Sequence, residues 1–290
     1  MASLKTDNGD LFYEVIGSGE NTLVFCHGFF LNSEMFTPQT HALSKDYKCI
    51  VWDEKGCGKS SANGPFSYWD SADDAVRILD ACGIGTATFI GMSKGGYISL
   101  RAALRYPNRV SGLVLIGSES GVFTEEEKQI FGNLVEEWQK KPISRTAMDT
   151  VKSILFGDAP ESESWERSWN KEDHEFIKHA ASALIDRDDI TSRLGDIKCP
   201  CCVIHGTADI GVDIEKGRNL AKRLNCDDHF SEIENGSHAI NMTHAGKVNG
   251  AIKAFLQDVY SKPQPMISSP SNDAAPLAHI HCHKSCRHQP

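Results

Sequence analysis

No apolar run in this 290-residue sequence approaches the length needed to cross a bilayer. The opening stretch, Met1 to Asp10, is polar and lacks the apolar segment of a secretory signal. The expectation is therefore a cytoplasmic protein with no membrane partner. Positive charge is also in short supply. Thirty Lys and Arg stand against 39 Asp and Glu, a formal net charge of −9, which argues against a nucleic-acid partner. Cysteine is plentiful but lacks metal-ligand spacing. Cys199-Pro200-Cys201-Cys202 contains one C-x-x-C with no second pair, and Cys26, Cys49, Cys201 and Cys202 fall inside strand-like runs, where they read as reduced, buried thiols. Gly56-Cys57-Gly58-Lys59-Ser60 ends like a phosphate-binding loop, but Asp53 stands where that loop needs its first glycine. The following Ser61-Ala62-Asn63-Gly64-Pro65 cannot open a helix. Neither a metal nor an organic cofactor is expected.

What is present is alternation. Strand patterns at 11–16, 23–27, 49–52, 86–90, 110–116, 201–205 and 229–233 are interleaved with helix patterns at 33–43, 71–82, 97–106, 214–224 and 242–260. That order predicts an α/β fold with a mainly parallel central sheet flanked by helices. The alternation is interrupted from about 121 to 195 by a charged, helical stretch with no strand pattern. The predicted organisation is a core at 1–120, a helical cap insertion at 121–195 and a second core part at 196–260. Residues 261–290 form a Pro-, Ser- and His-rich tail that cannot bury a core. The tail ends in a His/Cys run, His279 to His288, of a kind that captures soft metals without function.

Gly91-Met92-Ser93-Lys94-Gly95-Gly96 lies between the strand pattern ending at Ile90 and the helix pattern beginning at Tyr97. A serine on a tight strand-to-helix turn has its hydroxyl exposed above the sheet, and small flanking residues permit the turn. Such a serine needs a base, and the base needs an acid to orient it. His238, after the last strand pattern, is the best histidine. His27, His174, His179, His205 and His244 fit loop-shaping, buried or helical positions better. Asp209, just past the strand at 201–205, is the best acid, and Glu119, just past the strand at 110–116, is the rival. The tetrahedral intermediate of acyl transfer needs two backbone donors. The N–H of Lys94, at a helix start, is one candidate, and the N–H of Phe29, in the loop His27-Gly28-Phe29-Phe30, is the other.

Taken together, these motifs resemble the α/β-hydrolase superfamily over about residues 11–259, in particular its serine esterase and lactonase branch with a short helical cap, enol-lactonase-like enzymes included. The supporting segments are His27-Gly28, Asp53 to Ser60, Gly91 to Gly96, His205 to Asp209 and Gly236-Ser237-His238. The resemblance implies a triad in the chain order Ser93, Asp209, His238, and a small to medium apolar ester or lactone as substrate. Two other outcomes stay open: carbon–carbon bond hydrolysis on the same triad, and a slow-turnover ligand receptor. Lys94 departs from the neutral residue common at its position, so its side chain is expected either in solvent or against an acidic substrate group. Phe30 and Met92, beside the reacting atoms, are candidate pocket residues. Trp138, Trp165 and Trp169 in the insertion are further candidates for the pocket, with packing of the insertion onto the core as the alternative for most of its aromatic rings.

Overall fold

The computed structural model describes residues 2–171 and 177–261. The tail from residue 262, together with His174 and Phe176, lies outside the described residues.

Eight strands form one sheet: β1 (Ala2–Thr6), β2 (Gly9–Ile16), β3 (Thr22–Cys26), β4 (Lys48–Trp52), β5 (Ala87–Met92), β6 (Val110–Ile116), β7 (Cys201–Gly206) and β8 (Phe230–Ile233). Their spatial order is β1-β2-β4-β3-β5-β6-β7-β8; β1–β2 and β2–β4 pair antiparallel, and every pairing from β4–β3 onward is parallel. Strands β3, β5 and β7 are buried along their whole length, which is why they read as continuous apolar runs rather than alternating ones. Helices α1 (Thr37–Leu43), α2 (Tyr68–Ala81), α3 (Lys94–Arg105), α8 (Ile214–Arg223), α9 (Ile240–Thr243) and α10 (Ala245–Ser261) accompany the sheet. Between β6 and β7 come α4 (Glu125–Trp138), α5 (Arg145–Phe156), α6 (Glu161–Trp169) and α7 (Ile177–Ile185), with no strand among the described residues of that stretch.

Three differences from the sequence reading go beyond a shift of a few residues at an element's end. β1 was not expected; it is an exposed edge strand whose polar residues pair with β2, from Ala2 opposite Tyr13 to Thr6 opposite Gly9. The stretch 33–43 begins as a 3-10 turn, Ser33–Phe36, before α1. The last helix pattern breaks at His244, which separates α9 from α10 instead of lying within a helix.

The phosphate-loop lookalike is a structural turn. Asp53 accepts the N–H of Ser33 at 2.7 Å and of Lys59 at 2.9 Å, and Gly58 sits at φ 51°, where an added Cβ would lie 2.3 Å from Asp53 Oδ2. The Cys199–Cys202 segment leads into buried β7, and burial pushes the Cys202 thiol up to about 12.

Candidate active site

The turn from β5 into α3 puts Ser93 at φ 50°, ψ −115°, a conformation costly for a residue with a Cβ. It persists because its surroundings hold it. Ser93 N donates to Ile116 O at 2.8 Å, and Ser93 O accepts from Gly96 N at 2.8 Å and from Ser118 Oγ at 3.0 Å. The glycines are demanded by space: a Cβ on Gly95 would sit 1.8 Å from the carbonyl oxygen of Cys26, and one on Gly96 would sit 2.0 Å from Ser118 Oγ. The strained backbone and the close approach of α3 to β3 are thus one feature.

Asp209 and His238 stand on the loops after β7 and β8. The two loops are sewn together by Ala208 N to Gly236 O at 2.9 Å and Asn235 N to Thr207 Oγ1 at 2.9 Å. His238 Nδ1 lies 2.7 Å from Asp209 Oδ2. Asp209 Oδ1 accepts the N–H groups of Gly211 at 2.8 Å and Val212 at 2.9 Å. Burial alone would raise this carboxyl. The adjacent His238, the hydrogen bonds from His205 and His238, and the Val212 N–H outweigh burial and hold it well below the usual carboxylate range. His205 Nε2 lies 2.8 Å from Val212 O and 3.3 Å from Asp209 Oδ2, so this histidine braces the acid from behind. The histidine loop is also held by the insertion: Ile154 O and Leu155 O, in the last turn of α5, accept the N–H groups of His238 at 3.3 Å and Ala239 at 2.8 Å.

Glu119, the rival acid, faces elsewhere. Its Oε1 meets Lys216 Nζ at 3.2 Å, Arg187 Nη2 at 3.4 Å and Tyr97 OH at 3.4 Å. With two cations on the carboxylate, it serves as an ion-pair anchor beside the site and not as the partner of His238.

Ser93 and His238 share a cavity of about 110 Å³. Phe29, Phe30 and Met92 line it, with Tyr97 beside them. The three tryptophans do not. Trp138 is fully buried behind Phe30, with ring centroids 4.5 Å apart. Trp169 packs edge-on against Trp138 and donates its Nε1–H to Phe30 O at 2.6 Å, and Trp165 packs against Trp169. They are a wall supporting Phe30, because such large rings are buried most fully between the insertion and the core. The insertion reaches the cavity through Phe123 and Phe131 and through aliphatic positions that the sequence reading passed over: Leu134 on α4, Val151, Ile154 and Leu155 on α5, and Leu184 on α7. The i, i+3, i+4 spacing of the α5 residues was the available signal.

Lys94 also departs from expectation. Its side chain is fully buried, with neither solvent nor the cavity around it; Nζ lies 2.5 Å from Glu54 Oε2 and 3.6 Å from Cys57 Sγ. Burial alone would drive the ammonium down, but Cys57 and Glu54 pull it above its ordinary value. Among the described residues, no three His, Cys, Asp or Glu side chains are grouped to hold a metal ion, and no helix is long and apolar enough to cross a membrane.

Known proteins resemble this chain over most of its length. The protein named "Putative carbamate hydrolase RutD" from Pantoea ananatis is 27% identical over 270 residues, covering 87% of this chain and 95% of its own. A thermophilic esterase from Thermogutta terrifontis superposes with a TM-score of 0.81 at 24% identity, over 89% of this chain and 99% of its own. An enol-lactonase from Burkholderia xenovorans superposes with a TM-score of 0.79 at 23% identity, over 88% and 100%. The family model for the alpha/beta hydrolase fold matches residues 21–245, a span that takes in the Ser93 turn and the loops of Asp209 and His238. The chain belongs to the alpha/beta hydrolase fold family.

Proposed function

We propose that the protein is a serine hydrolase of small, uncharged carboxylic esters or lactones, with Ser93 as nucleophile, His238 as base and Asp209 as its orienting acid. The observation that carries the reading is the strained Ser93 turn facing the same cavity as a histidine whose far nitrogen is 2.7 Å from a buried carboxylate.

In this reading the neutral His238 keeps its proton on Nδ1, toward Asp209, so Nε2 is free to accept the Ser93 Oγ proton. Oγ attacks the carbonyl carbon, and the oxygen takes the negative charge, met by the backbone N–H groups of Lys94 and Phe29. Collapse breaks the bond to the leaving oxygen, which takes the proton from His238. A water then gives its proton to His238 and attacks the acyl-enzyme. Breakdown of that second intermediate releases the acid and returns the proton to Ser93.

The cavity supports a short acyl group: about 110 Å³ lined by aromatic and aliphatic side chains. Glu119 and Arg187 pair with each other, Lys94 pairs with Glu54, and none of the three lines the cavity. A charged acyl chain therefore has no partner there.

The test is turnover of p-nitrophenyl acetate, butyrate and octanoate beside a γ-lactone and a simple carbamate, with Ser93→Ala as control. Expected are hydrolysis of the short esters or the lactone, loss of several orders of magnitude in kcat for Ser93→Ala with folding intact, and labelling of Ser93 alone by a fluorophosphonate. Wild-type turnover in the alanine variant would overturn the reading.

A further inference from the structure

Lys94 poses a physical problem. A cation at the first position of a helix opposes the dipole, and burying it against Glu54 strips water from two charges. Replacing such a buried pair by an apolar pair of similar volume is often neutral or stabilising. Stability therefore does not explain the pair, and its connections suggest what does.

Glu54 bonds in three directions. Its Oε2 meets Lys94 Nζ at 2.5 Å, its Oε1 accepts Ser71 Oγ at 2.7 Å, and its backbone N–H donates to His27 Nε2 at 3.0 Å. With Nε2 accepting, the His27 proton is on Nδ1 and donates to Gly28 O at 2.8 Å. Burial and the nearby Lys94 push His27 well below its ordinary value, so it stays neutral and keeps that tautomer. Gly28 C=O and Phe29 N–H belong to the same planar peptide unit and point to opposite sides of it. A hydrogen bond that fixes the carbonyl of Gly28 therefore fixes the direction of the Phe29 N–H. At the other end of the chain of contacts, the residue whose side chain holds Glu54 is the one whose own backbone N–H opens α3. The Phe29 ring also lies 6.0 Å from Lys94 Nζ.

We infer that the buried Lys94–Glu54 pair is a positioning device that locks the two oxyanion donors, Phe29 N–H and Lys94 N–H, into one unit through His27. The inference rests on the proposed role of Ser93. Both residues act through the backbone groups they hold; neither side chain touches substrate. The pair also explains why a lysine is tolerated beside the nucleophile: it is neutralised within the protein.

The test uses Lys94→Met/Glu54→Gln, which removes both charges at nearly constant volume, because either single change strands a buried charge and risks the fold. Expected is a folded enzyme with Tm at or above wild type, kcat lowered about 10–100-fold at unchanged KM, and affinity for a short alkyl boronic acid weakened by a similar factor. Wild-type kcat and boronate affinity in the double variant would overturn the inference, as would a lowered Tm with both constants unchanged per folded enzyme. Ser93→Ala separates the two readings. If it is inactive while the double variant behaves as wild type, only the positioning role falls. If it retains wild-type turnover, both fall.

Discussion

Asp209 Oδ2 lies 2.7 Å from His238 Nδ1, while Glu119, one strand away at the same sheet edge, binds Arg187 and Lys216 instead. The two acids can therefore be told apart by mutation. In Asp209→Asn the amide oxygen stays on the Gly211 and Val212 N–H groups, which turns the NH2 toward His238 Nδ1 and favours the wrong tautomer. This should cost roughly 10⁴ in kcat, by analogy with the serine-protease case. Glu119→Gln loses an ion-pair anchor and should change kcat less than tenfold, while lowering Tm because Arg187, fully buried at its head, loses its counter-charge. Steady-state kinetics and thermal melts on both variants decide the matter; an inactive Glu119→Gln with an active Asp209→Asn would reverse the assignment.

The cavity lining makes a prediction that the tryptophans do not. Ile154→Ala and Leu134→Ala each remove lining volume and should shift preference from acetate toward octanoate esters, seen as a changed ratio of kcat/KM between the two chain lengths. Trp165→Phe, in the supporting wall and outside the cavity lining, should leave that ratio near wild type. Ile154 tests a second point as well, because its carbonyl holds the His238 N–H through the backbone. The side-chain truncation should preserve that bond, so turnover of the smallest ester should survive. Loss of all substrates alike would mean that the insertion sets the chemistry through α5 and not the substrate choice.

What was legible in the sequence follows the range of the interactions involved. β6 was read at its observed bounds, Val110–Ile116, because a buried run between polar flanks is a local signal. The Ser93 turn was legible because its strain and tight packing require glycines at fixed offsets. β1 was missed because an exposed edge strand carries no apolar pattern, and it exists only through its ladder to β2. Lys94 was misread because its partner, Glu54, is 40 residues away and nothing near Lys94 announces it. The tryptophans stay divided between pocket and core in the sequence for a related reason: an i, i+4 pair such as Trp165 and Trp169 defines a helical face, but not what that face meets.

Two glycines should respond oppositely to the same change. At Gly95 an added Cβ meets backbone, 1.8 Å from Cys26 O, so α3 must move away from β3. Gly95→Ala should cost about 3 kcal/mol or more by overpacking, and should also reduce kcat because Ser93 moves with α3. At Gly132, within α4, a Cβ meets nothing within 4 Å, and Gly132→Ala should stabilise by about 0.5–1 kcal/mol through helix propensity. Denaturant unfolding of the two variants checks the signs. A stable, active Gly95→Ala enzyme would mean that the close approach is not required.

The depressed Asp209 carboxyl links activity to acid stability. Its folded-state value lies below its ordinary one, so the unfolded chain binds more protons as pH falls. The stability it contributes is therefore fully present above the ordinary aspartate value of about 3.9, and is lost as pH drops through the folded-state value. Asp209→Asn carries no such proton. The gap in Tm between wild type and the asparagine variant should be constant across neutral pH and narrow from about pH 4 downward. For the same reason, the acid limb of the pH–rate profile should not report Asp209, which stays ionised there; it should report protonation elsewhere in the site. Thermal melts of the pair from neutral to acid pH provide the measurement. A gap that widens on acidification would show that the carboxyl is raised by burial, and would remove the ionised Asp209 on which the role of His238 depends.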